Sequence, residues 1–174
     1  MDAYVRRRVG TGWLPHGSRP DLPERVALHS LDDARLAAPG SLRAHFKTEK
    51  PIRRKLIADR LAAGDFVVNI YTARGNSERV RSKLLALLVE DAIGVGVTRL
   101  VLDSRDPVAN GRDRLVIGTR TKARDAGLVY EHIHSSAEPA LWVSDAIAWC
   151  HGAGSEWKRR IAPVIGAVVD LGQA

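Results

Sequence analysis

The runs Phe66-Val67-Val68-Asn69-Ile70-Tyr71 and Thr98-Arg99-Leu100-Val101-Leu102-Asp103, with the helical pattern between them, decide the fold. The first run is short, β-branched and aromatic, the composition of a strand buried on both faces. Asn76 or Ser77 can then cap a helix, Glu78 sits in its first turn, and Val80, Leu84, Leu87, Leu88 and Ile93 line one side until Gly94 and Gly96 stop it. The second run is a strand that finishes in a carboxylate. Strand, helix and strand in this order predict a parallel crossover, and so an α/β sheet covered by helices.

The pattern continues in both directions. Toward the C-terminus a polar loop leads to a helix expected over residues 114–126, closed by Gly127, and residues 128–134 read as a third strand. Pro139 opens a long helix with Leu141, Val143, Ala146 and Ile147 among its apolar positions. Gly152 and Gly154 interrupt it, and residues 156–169 read as a final helix. Toward the N-terminus, Pro51 suits a first helical position, and Ile52, Leu56, Ile57 and Leu61 follow until Gly64. The first forty residues are broken by Gly and Pro, leaving an alternating strand candidate at 25–31 and a weaker one at 3–9. A strand-rich front would make the sheet mixed. The expectation is one domain over residues 1–174, with 1–40 its atypical part.

The chain has 174 residues, with 27 Lys and Arg against 20 Asp and Glu, a formal charge of +7. At this size folding buries about 68–70% of the unfolded chain's surface, enough for a core without disulfides. Cys150 is the only cysteine, which excludes an internal disulfide and a multi-cysteine zinc site; in an apolar helix it reads as a small buried residue. No run approaches the roughly 18–20 apolar residues of a membrane span, and the basic start carries no signal-like apolar stretch, so a cytoplasmic protein without a membrane partner is expected. The oligomeric state is not legible. The excess charge lies in Arg6-Arg7-Arg8, in Arg43, Lys47, Lys50, Arg53, Arg54, Lys55 and Arg60 opposed only by Glu49 and Asp59, and in Lys158-Arg159-Arg160. Such clusters suit a nucleic-acid partner or a solvated face.

The chain has no phosphate loop, no nucleophile elbow and no dinucleotide fingerprint, since Gly94-Val95-Gly96 precedes a strand rather than a helix. Asp103 stands where a parallel strand runs out, the place where ligand groups gather in open α/β sheets, although a turn or capping role fits it equally. Asp145 lies between Trp142 and Trp149 on one side of an apolar helix. A carboxylate so surrounded should need a partner: a metal ion, Arg105, Arg120 or a backbone amide. His132 and His134 share one strand face, where a polar lining is the commoner role than metal ligation.

Several stretches together resemble the actinobacterial branch of the family known as domain of unknown function 3800, whose fold is RNase H-like. They are Ala38-Pro39-Gly40, His45-Phe46-Lys47-Thr48-Glu49 with Arg53-Arg54, Leu100 to Asp106, Tyr130-Glu131-His132, Glu138 to Trp149, and Trp157-Lys158-Arg159-Arg160. The resemblance implies a mixed sheet flanked by helices and a divalent-metal-dependent nuclease, with Glu49, Asp103 and Asp145 as catalytic carboxylates holding Mg²⁺ or Mn²⁺. Two such hard cations about 4 Å apart would activate water and stabilise the leaving oxygen. Lys47, Arg53, Arg54 and Arg105 would contact phosphates, and Asp103 and Asp145 would face each other across the sheet end. The family's first strand usually ends in Asp-Glu-Ser; here Ala3-Tyr4-Val5 runs into Arg6-Arg7-Arg8. The rival readings are a catalytically inactive nucleic-acid or protein interaction module that keeps the fold, and a structural protein whose Asp103 and Asp145 pair with arginines.

Overall fold

The computed structural model describes residues 2–7, 46–75 and 78–173. The strand expected at 25–31 and the caps Asn76 and Ser77 lie outside these residues. β1 (Asp2–Arg7) is followed, after a 3-10 turn at Phe46–Thr48, by α1 (Pro51–Ala62), β2 (Phe66–Arg74), α2 (Glu78–Gly94) and β3 (Arg99–Asp103). α3 (Pro107–Arg120), β4 (Val129–Ile133), α4 (Pro139–Gly152), α5 (Ser155–Ile161) and β5 (Ile165–Gln173) complete the mixed α/β fold. No helix among the described residues is long and apolar enough to cross a membrane.

β2 is the middle of a mixed three-stranded sheet, antiparallel to β1 and parallel to β5. β3 and β4 form a separate parallel pair joined through α3, whereas β2 and β3, expected to be parallel neighbours across α2, belong to different sheets. The period-2 alternation of β2 sends its side chains into two cores. Phe66, Val68 and Ile70 pack with α1, α4 and Ile161 of α5, whereas Tyr71 packs with α2 and α3. Tyr71 is fully buried, and its hydroxyl donates to Asp91 Oδ2 at 2.8 Å, so the polar end of the ring is satisfied.

Three sequence expectations change. α3 starts at Pro107 rather than near residue 114, because Asp106 caps it: its carboxylate accepts from the amides of Val108 at 3.0 Å and Ala109 at 2.9 Å, with proline at the first helical position. The expected helix over 156–169 is instead α5, a 3-10 turn and β5. Pro163 cannot continue a helix, and the β-branched Ile165, Val168 and Val169 favour a strand once β2 offers its edge. In α1, Ile52 and Leu56 are exposed, while Ala58 and Leu61 enter the core and Ile57 packs partly against it.

At Gly166, β5 leaves no room for a side chain beside β2. A Cβ there would overlap a Val67 methyl and stand 2.8 Å from Asn69 Oδ1, beside the register shift between Val68 and Asn69. Gly166→Val should therefore destabilise the fold by about 1–3 kcal/mol, the usual effect of overpacking. Chemical denaturation checks this; a variant as stable as the native chain would show that β5 shifts freely.

Candidate functional site

Asp103, at the end of β3, is exposed, as a group at a strand's carboxyl end can be. Asp145 is exposed as well, which corrects the expectation of an apolar enclosure. The buried positions of α4 are Val143, Ala146, Ile147 and Cys150, a stripe at helical spacing that leaves position 145 toward solvent. Its carboxylate is hydrated and needs no buried cation. Glu49 is half-buried and pairs with Arg53 at 3.2 Å. Glu49, Asp103 and Asp145 do not assemble into a ligand set: among the described residues no group of three or more His, Cys, Asp or Glu side chains is disposed to hold a metal ion. No chemical step is routed through the Mg²⁺ or Mn²⁺ that the resemblance implies.

The expected phosphate contacts separate into two groups. Arg105 turns inward, donating to Glu78 Oε1 at 2.7 Å, Asp113 Oδ1 at 2.9 Å and the Ala109 carbonyl at 3.3 Å. Arg54 lies over Trp149, with its guanidinium carbon 4.8 Å from the ring centroid, and 5.9 Å from that of Trp157. Phe46, Trp149 and Trp157 pack edge against face beneath it, so Arg54 supports the aromatic cluster. Lys47 and Lys50 are exposed, and Arg53 stands beside Glu49.

α1 and α5 pack side by side, and two ion pairs cross between them: Lys55 with Glu156 at 3.5 Å and Arg160 with Asp59 at 2.6 Å. These pairs occupy Glu156 and Asp59, while Arg53 occupies Glu49. Lys47, Lys50, Lys158 and Arg159 are left pointing to solvent without a carboxylate partner among the described residues. Coulomb repulsion from cations held at neighbouring positions is relieved only by counterions or an anionic partner.

A second polar cluster lies beyond the carboxyl ends of β3 and β4, centred on Asp113 of α3. Its side chain is 3% exposed and receives Arg81 at 3.1 Å, Arg105 at 2.9 Å and His132 Nε2 at 3.4 Å. Burial alone would raise the Asp113 pKa, but the hydrogen bond and charge of Arg81, the charge of Arg105 and the hydrogen bond to His132 together hold it below the ordinary value. Asn110 accepts from the Arg105 amide at 2.9 Å and donates to Ser104 Oγ at 3.0 Å, tying down the loop after β3. His134, the other histidine of the strand-face pair, is exposed and bonded to Ser136. Asp113 escaped the sequence reading because the expected helix began one residue later. With the helix started at Pro107, position 113 falls on the same inward stripe as Ala109, Val116 and Ile117.

Cys150 is fully buried, and its thiol is pushed up to about 12 by burial, with Arg54 and Arg160 pulling the other way, so it packs rather than reacts. Comparison with protein-family models, curated proteins and solved structures finds no match to this chain.

The Asp113 cluster sets an acid limit on stability. Its folded pKa lies below the ordinary 3.8, so the stability it contributes is complete above that value and is lost as pH falls below it toward the folded pKa. Asp113→Asn leaves two arginines without their shared carboxylate and should lower stability at neutral pH by about 3 kcal/mol. The variant should also lose less further stability than the native chain between pH 5 and the acid limb below about pH 4. Denaturant melts across pH test this, and parallel pH profiles for the two proteins would refute it.

Proposed function

We propose that the chain is a nucleic-acid-binding module with an RNase H-like fold, in which α1 and α5 form the surface that meets phosphates. One observation carries this reading. Residues 46–60 and 155–161 hold nine cations and three carboxylates, a surplus of six out of +7 for the whole chain, and the two helices that carry most of them pack together. A charge surplus gathered on two packed helices suits a polyanion better than it suits general solubility, which spread charge serves as well. The RNase H-like part is supported by the antiparallel β1–β2 pair, the parallel β3–β4 pair with its crossover helix, and the carboxylate ending β3. The protein-partner form of the module has no comparable feature in its favour.

Phosphate binding by this face makes affinity depend on salt, with log affinity falling by about 0.7–0.9 per contacted phosphate for each log unit of salt. Lys50→Ala with Lys158→Ala should flatten the slope by about 1.4–1.8 if each lysine meets one phosphate. Arg54→Ala should chiefly lower stability, because its guanidinium lies over the tryptophans. Fluorescence anisotropy of labelled single- and double-stranded DNA and RNA across a salt series measures these effects. Affinity indifferent to salt would sink the reading.

The rival is the metal-dependent nuclease with Glu49, Asp103 and Asp145 as its carboxylates, favoured by the exposed Asp103 and by the packing of α4 against β3. Thermal melts with and without Mn²⁺ separate the two. The module is expected to melt at one temperature in both, and an Mn²⁺-dependent rise that disappears in Asp103→Asn would restore the nuclease.

A further inference from the structure

We propose that Ile52 and Leu56 form an apolar wedge with which the α1 face engages duplex nucleic acid, Ile52 entering a base step while the neighbouring cations hold the backbone. The inference rests on the nucleic-acid reading above and specifies its substrate as a stacked, deformable duplex. Ile52 is 85% exposed and Leu56 51%, whereas the opposite side of the same helix supplies Ala58 and Leu61 to the core. Four residues apart, the two side chains are neighbours one turn from each other on a single outward face.

Single exposed apolar residues are ordinary on protein surfaces. This pair is distinguished by its surroundings, since Lys50, Arg53 and Lys55 are interleaved in the same two turns; Arg53 and Lys55 pair with Glu49 and Glu156, and Lys50 is exposed without a carboxylate partner among the described residues. Charge complementarity selects a polyanion, and the apolar tips select one with an apolar interior to enter. A bilayer is a poor match, because even a whole fatty-acyl chain gives only marginal membrane binding, and two side chains offer far less apolar area. A base stack needs no more than this. Isoleucine and leucine wedges of one or two residues partly unstack a step and kink the duplex by about 20–90°, while cations on either side take the phosphates. Pyrimidine–purine steps unstack most readily, so they should be the preferred point of entry.

The experiment uses the full chain and a duplex DNA carrying 2-aminopurine beside a central TA step, with a donor and acceptor dye at its ends. The native protein should raise 2-aminopurine emission and shorten the end-to-end distance on binding. Ile52→Ala should keep its fold, since the position is exposed and alanine favours a helix, and should keep the salt slope. It should bind about 10-fold more weakly, a difference of about 1.4 kcal/mol, and lose both the emission rise and the bend. Ile52→Phe should retain them. Salt-dependent binding without unstacking or bending, or an Ile52→Ala variant that still unstacks the step, overturns the wedge and leaves the nucleic-acid reading intact. Absence of salt-dependent binding to any nucleic acid overturns both. Ile52-dependent sedimentation with phosphatidylserine vesicles in that case would assign the face to a lipid surface instead.

Discussion

Everything in this fold leans on one strand that must be covered on both faces. β2 sends Phe66, Val68 and Ile70 to one side and Tyr71 to the other, and each of these side chains is 4% exposed or less. Burying one such side chain is favourable by about 1.5–3 kcal/mol, so a strand uncovered on either face would forfeit several times that amount. α2 and α3 must therefore close one side, and α1, α4 and α5 the other. The hydrogen bonds of the strand must also be met laterally, which brings β1 and β5 to its two edges.

The placement of charge follows from that division. α1 and α5 bury Ala58, Leu61 and Ile161 against the sheet and against each other, leaving their remaining positions for solvent. Seven of those sixteen positions are Lys or Arg, and Asp59 and Glu156 are taken up in bridges that cross between the helices. Exposed bridges of this kind contribute little, in the range of about 0–1 kcal/mol each, so they align the pair more than they stabilise it. The outcome is a pair of packed helices whose exposed cations outnumber the carboxylates beside them.

Much of the architecture was legible because its signals were local. Pro51, the β-branched run of β2, the glycines that stop α2 and the carboxylate ending β3 each encode their element within a few residues. The failures share a different cause. β5 takes a strand conformation only because β2 presents an edge, and nothing inside residues 165–173 announces that edge, although Pro163 and Gly166 argued against a helix. Asp145 was misjudged because the composition of α4 suggested apolar neighbours all round, whereas a helix at the surface of a two-sided core has one outward face whatever its mean hydropathy. The cation surplus of α1 was visible in the sequence; its union with Lys158 and Arg159 depends on two helices almost a hundred residues apart in sequence packing together.

The two polar clusters show how burial decides what a charge does. At Asp113 the side chain is nearly sealed, its partners come from α2, the loop after β3 and β4, and every ionised group faces an opposite one. Such a network fixes geometry, because removing Asp113 takes the shared carboxylate from two arginines. It holds the turn after β3 and, through Asn110 and Ser104, the backbone that places Asp103 at the strand end. On and beside α1 and α5, Lys47, Lys50, Lys158 and Arg159 are open to water without a carboxylate partner among the described residues, and nothing among those residues buries Ile52. Stability alone would favour pairing those cations and burying Ile52, so the composition of this face runs against the local optimum where the rest of the chain follows it. Departures of that kind are expected where a surface is shaped for something other than folding.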